Sequence, residues 1–153
     1  MPQPTKTLLI GGRRGLSALV LTFGLEGALA VGDDQTLWIK NAIPAGFVLH
    51  LRMADLIVKG TAPAGSGATV VDVQYSSDAR GTASGSRTWA SIFPSGGALT
   101  LVAGEYEPPA VTTAFDANDF VSGSVFRVDV ASVCADSPGE DVTVEILGEL
   151  VRG

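Results

Sequence analysis

Residues 125–130 read Val-Phe-Arg-Val-Asp-Val and residues 142–146 read Val-Thr-Val-Glu-Ile, so from residue 126 apolar and polar side chains alternate at every step in both stretches. Successive side chains of a strand point to opposite faces. Phe126, Val128 and Val130, with Val142, Val144 and Ile146, therefore fall on a buried face, and Arg127, Asp129, Thr143 and Glu145 turn outward. The two stretches read as the clearest strand pair of the chain.

The same period of two extends through the body. Phe47, Leu49, Leu51 and Met53 alternate with Val48, His50, Arg52 and Ala54, and the apolar phase then shifts to Leu56 and Val58. A bulge or bend near Ala54-Asp55 accounts for such a shift, because one extra residue moves every later side chain to the other face. Val71, Val73 and Tyr75 repeat the pattern, and Thr88 to Phe93, Ala98 to Val102, Val111 to Phe115, Val125 to Val133 and Val142 to Leu150 complete a set of eight or so strands from Leu37 onward. Turn-forming runs such as Pro94-Ser95-Gly96-Gly97, Pro108-Pro109 and Asp136-Ser137-Pro138-Gly139 separate them. No apolar stripe of helical period and no fixed repeat is present. The expected fold is all-β, a jelly-roll-like β-sandwich.

The chain is one domain long, with 46% hydrophobic and 17% charged residues over 153 positions, which suits a sizeable core. Its organisation is expected to be an N-terminal arm, residues 1–32, followed by a sandwich domain, residues 33–153. The arm is apolar and rich in Gly. Ordering roughly 30 residues costs about 1 kcal/mol each, so such an arm must bury on the order of 1,000 Å² of apolar surface. Arg13, Arg14, Leu16, Leu19, Leu21, Phe23, Leu25 and Leu29 are its expected partner-binding residues. Lys6, Arg13 and Arg14, with no acid, give residues 1–15 a charge of +3 and leave −9 for the rest of a chain whose formal net charge is −6. So acidic a body is repelled by phosphate backbones, which argues against nucleic acid as a partner. Arg13-Arg14 ahead of an apolar run and Ala28-Leu29-Ala30 has the form of a twin-arginine export signal, but Gly24 and Glu26 interrupt the run and the segment is expected to be retained. It is also too short and too interrupted to span a bilayer, so no membrane partner is expected.

Residues able to carry chemistry are few. His50 is the one histidine, flanked on its face by Val48 and Arg52, and suits an outward surface role. Cys134 is the one cysteine, expected as a small buried thiol. Asp116-Ala117-Asn118-Asp119 starts like a calcium loop, but Val121 stands where the tight-turn Gly belongs and Arg127 where the bidentate Glu belongs, leaving a solvated turn. Glu105 and Glu107 flank Tyr106 before Pro108-Pro109 and suit a charged loop better than an acid and base pair. Trp38, Trp89, Tyr75 and Tyr106 suit core or interface packing better than a sugar platform. With no G-x-S-x-G elbow and no P-loop, the expectation is a non-enzyme with no catalytic residue, metal or cofactor.

The succession Ala62-Pro63-Ala64-Gly65, Ala68 to Val73, Ser91-Ile92-Phe93 and Leu99 to Gly104, then Phe126 to Val130 and Pro138-Gly139-Glu140-Asp141-Val142-Thr143-Val144, resembles a pattern of tailed-bacteriophage virion structural proteins. One domain with an arm and no repeated shaft is most similar to the capsid decoration, or cement, proteins. The resemblance implies a homotrimer on the outer capsid surface of the virion, made in the host cytoplasm, whose partner is the major capsid protein. It implies equally, as the alternative, a tail or fibre module that binds a receptor carbohydrate.

Overall fold

A computed structural model describes residues 5–10, 17–32, 34–38, 43–79, 81–95 and 97–153. Among them are the strands β1 (Thr5–Ile10), β2 (Ser17–Ala28), β3 (Asp34–Trp38), β4 (Phe47–Val58), β5 (Thr69–Ser76), β6 (Ala90–Ser91), β7 (Leu99–Leu101), β8 (Asp119–Phe120), β9 (Val125–Ser132) and β10 (Glu140–Arg152). One 3-10 turn, Ser84–Ser86, is the only helical element of the described residues. All pairings are antiparallel and build two sheets, β1-β2-β10-β4-β8 and β3-β9-β5-β6. β7 pairs with β5 at Thr69 to Val71, while β6 pairs at Gln74 and Tyr75, so the two short strands share one edge of β5.

The two sheets enclose one apolar core, and the fold is an all-β sandwich as the alternation predicts. Phe126, Val128, Val130, Val142, Val144 and Ile146 are all buried in it. β9 and β10 do not pair, however. β9 runs between β3 and β5, and β10 between β2 and β4, so the two alternating stretches belong to opposite sheets of the same core. Phe120, on the edge strand β8, closes the core between Tyr75 at 5.0 Å and Phe126 at 4.7 Å, both edge to face.

The phase shift in β4 is real and lies slightly earlier than expected. Leu147 of β10 pairs with Met53 and Gly148 with Leu51, so Arg52 is the extra residue, and Ala54, Leu56 and Val58 face inward after it. Two expected strands are shorter than read, reduced to Ala90–Ser91 and Leu99–Leu101. Val111 to Phe115 forms no strand: Thr112 alone bridges Ala54, and the Phe115 ring turns away to stack on Phe93, 6.0 Å between centroids.

The division into an arm and a body requires correction. β2 pairs along one side with β1 and along the other with β10, from Ser17↔Leu150 to Ala28↔Glu140. Leu19, Leu21, Phe23 and Leu25 project from it into the chain's own core, and Leu29 follows them. The apolar surface that an arm would need to bury elsewhere is buried within the domain, so residues 17–32 belong to the sandwich. Their alternation, Leu19, Leu21, Phe23, Leu25, is that of a strand.

Deleting residues 1–32 removes five core side chains and uncovers an edge of β10, so the remainder should show no cooperative unfolding transition in urea. A two-state transition from the truncated chain would contradict this placement. Phe126→Ala should cost about 3–5 kcal/mol in the same assay, as expected for a fully buried ring.

Candidate functional site

Of the expected partner-binding residues, Leu19, Leu21, Phe23, Leu25 and Leu29 are core residues that no partner can reach while the domain is folded. Arg13, Arg14 and Leu16 lie outside the described residues. The accessible chemistry is instead on the outer faces of the two sheets and along their edges.

On the outer face of the first sheet, strand register sets His50 opposite Glu149 of β10 on one side and Asp119 of β8 on the other. His50 Nδ1 contacts the Asp119 carboxylate. Arg52, pushed outward by the bulge, donates from Nε at 3.0 Å and from a terminal nitrogen at 2.7 Å to one oxygen of Glu149. The outward role expected for His50 holds. Its pairing clips β8 to β4, and through Phe120 it closes the core. Asp119, the last residue of the calcium-like run, is thus committed to His50, and the Asn118 carbonyl accepts the Leu51 amide at 2.8 Å.

The outer face of the second sheet carries a polar network. Ser91 donates to Asp72 at 2.6 Å, the Gln74 amide donates to Asp72 at 3.0 Å, and Arg127 Nε donates to the Gln74 carbonyl oxygen at 2.6 Å. The Arg127 guanidinium lies 4.4 Å from the centre of the Trp89 ring, within cation–π reach. Asp129 stands in register with Asp72 on β5 and Asp34 on β3, an arrangement of like charges that costs stability. Nearby, Arg87 is buried and ties the loop after β5 together, with terminal nitrogens 3.5 Å from Ser76 Oγ, 3.3 Å from the Asp78 carbonyl and 3.5 Å from the Ala79 carbonyl. Alternation places Arg127 outward, but no local pattern names Trp89 or Arg87 as anchors, because each finds its partners across a loop.

Cys134 is buried, with its amide donating to Thr69 Oγ1 at 3.1 Å and its Sγ 3.6 Å from the Gly67 carbonyl. Tyr75 packs against the core, so the four aromatics considered as a platform do not converge: Trp89 lies over Arg127 and Tyr106 lies on an edge.

That edge is the outer side of β4. The chain from Tyr106 to Phe120 runs along it, accepting the Val58 amide at the Tyr106 carbonyl, exchanging two 2.8 Å bonds between Ala54 and Thr112, and ending in β8. Val102, Tyr106 and Val111 are 48%, 56% and 44% exposed there, and Ile57 beside them is 36% exposed. Glu105 turns back to accept the Val102 amide at 2.9 Å, which shapes the loop that presents them. Isolated exposed apolar residues are ordinary, but several strung along one edge mark a surface suited to contact. The chain matches no known protein family, no curated protein and no solved structure.

The two guanidinium clusters should differ in weight. Arg87→Ala leaves buried acceptors without their donor and should cost about 1–3 kcal/mol, whereas Arg52→Ala breaks a solvent-exposed pair and should cost less than about 1 kcal/mol. Urea unfolding of the two variants checks the order.

Proposed function

We propose that the chain is a tailed-phage capsid decoration protein, a jelly-roll sandwich that binds the outer face of the major capsid lattice as a homotrimer and braces it. The observation that carries this reading is the exposed edge of Val102, Tyr106, Val111 and Ile57, held on a rigid two-sheet body. The strand order supports it. β2-β10-β4-β8 facing β3-β9-β5-β6, with the chain crossing repeatedly between sheets, follows the double Greek key of jelly rolls, an architecture of viral capsid and lectin domains. Fold alone does not assign function, so the weight rests on the edge. The mechanism is linkage by mass action: protein that binds the assembled shell and not its opened state adds stability to the shell in proportion to occupancy. No reaction is involved.

A second reading, a tail or fibre module for a carbohydrate receptor, is favoured by Trp89 set over Arg127 beside the Asp72–Gln74–Ser91 network. An aromatic ring next to fixed donors and acceptors is what stacking and orienting a sugar requires.

The two readings separate on variants. With phage heads stripped of their decoration protein, Tyr106→Ser combined with Val111→Ser should weaken binding about tenfold or more and lower the heat protection of the particle, while the variant's own stability changes by less than about 0.5 kcal/mol. Unchanged binding to heads by that variant, together with loss of glycan binding on Trp89→Ala, would replace the capsid reading with the receptor one.

A further inference from the structure

The first sheet has two free edges, and the sequence that builds them is oppositely charged. β1 forms one edge, and no described residue pairs with its outer side. Residues 1–15, which include β1, carry Lys6, Arg13 and Arg14 and no acid. At the other edge the chain from Glu105 to Phe120 lies along β4. Residues 88–126, which include that stretch, carry Glu105, Glu107, Asp116 and Asp119 and no Lys, Arg or His. The only cation touching these four acids among the described side chains is His50, which meets Asp119. The same edge presents the exposed Val102, Tyr106 and Val111.

We propose that these two edges are one interface, shared between copies of this chain: the basic β1 edge of one molecule docks on the acidic, apolar 105–119 edge of the next. The occupant is a second copy because both halves of the complementarity belong to the same sheet, one at each end of its strand order. A free strand edge offers unpaired backbone donors and acceptors, which proteins ordinarily cover or charge. β1 combines that edge with positive charge, and the opposite edge supplies negative charge with apolar side chains to desolvate. Charge of this kind sets orientation and rejects like against like, so two basic edges or two acidic edges do not meet. The contact is heterologous, head to tail, and repeats until it closes into a ring, which gives a route to a homotrimer. The interface stands on the sheet topology and the charges, not on the capsid reading, and it is tested without any capsid.

The experiment is sedimentation of the purified full chain in 0.01 M and in 1 M salt, between which the screening length falls from about 30 Å to about 3 Å. Wild type should associate in low salt and do so at least about tenfold more weakly in high salt. One variant reverses the basic edge, Lys6→Glu with Arg13→Glu and Arg14→Glu. A second reverses the acidic edge, Glu105→Lys with Glu107→Lys and Asp116→Lys, leaving Asp119 to hold His50. Each alone should sediment as a monomer, and an equal mixture of the two should associate, since one then offers two acidic edges and the other two basic ones. If the first variant lost its β dichroism, Arg13→Gln with Arg14→Gln leaves β1 unchanged and should weaken wild-type association about threefold. A wild type that stays monomeric in low salt, reversed variants that associate as well as wild type, or a mixture of folded variants that stays monomeric would each overturn the interface.

Discussion

The ladder that joins β10 to β2 on one side and β4 on the other is the interaction on which the rest of the sandwich depends. β10, the longest strand, pairs with β2 from Glu140 to Leu150 and with β4 from Val142 to Arg152. Its inward residues Val142, Val144, Ile146 and Leu150 supply one wall of the core. Between Ile146 and Leu150 the inward position is Gly148, where a Cβ would come within 2.5 Å of Leu49 Cδ1 and 3.1 Å of the His50 carbonyl oxygen. The Leu49 side chain fills that space, and the bulge at Arg52 lets the strands keep facing one another around it. One constraint, the close approach of β4 to β10, thus sets the bulge, the outward turn of Arg52 and its bond to Glu149.

At one end of the sandwich the loops are fastened to each other rather than to the sheets. The turn at 62–67 docks on the one at 134–138, with Ala64 and Ser137 exchanging bonds of 2.9 and 3.1 Å. Gly65, at φ +90°, lets the two backbones meet: a Cβ there would lie 2.7 Å from the Asp136 amide nitrogen. Thr69 extends the clasp, donating to the Pro138 carbonyl at 2.6 Å while receiving the Cys134 amide. The fastening leaves the opposite resource free: the edges of the first sheet and the outer faces of both remain open to partners.

The alternation of apolar and polar residues made the sandwich class and its β9 and β10 core positions legible, because period two needs only local neighbours. Partnership was not legible in the same way. Phe126 and Val142 look like members of one hairpin, yet their strands lie in different sheets, a choice made by β2 and β3 inserting beside them. Gly11 to Gly15 and the apolar run after it drew the start of the chain toward an arm, although Leu19 to Leu25 alternate as strictly as any strand in the body. β8 escaped notice because two residues carry no period, and its Asp119 sat inside an acidic run with a competing explanation. The Trp89–Arg127 stack and the buried Arg87 depend on how a loop folds back, which no spacing encodes. The sheet edges became visible as sites only when the strand order placed the basic start and the acidic 105–119 stretch at opposite ends.

The central claim is that β2 is an interior strand of its own sheet, and amide hydrogen exchange on dilute, monomeric protein tests it most directly. The account predicts that the amides of Leu19 to Leu25 that bond across to β1 or β10 exchange only through global unfolding, with the same protection as those of Val144 and Ile146 and with no dependence on protein concentration. Fast exchange in β2 while β10 stays protected, or protection that appears only as concentration rises, would show that residues 17–28 are held by another molecule and would contradict it.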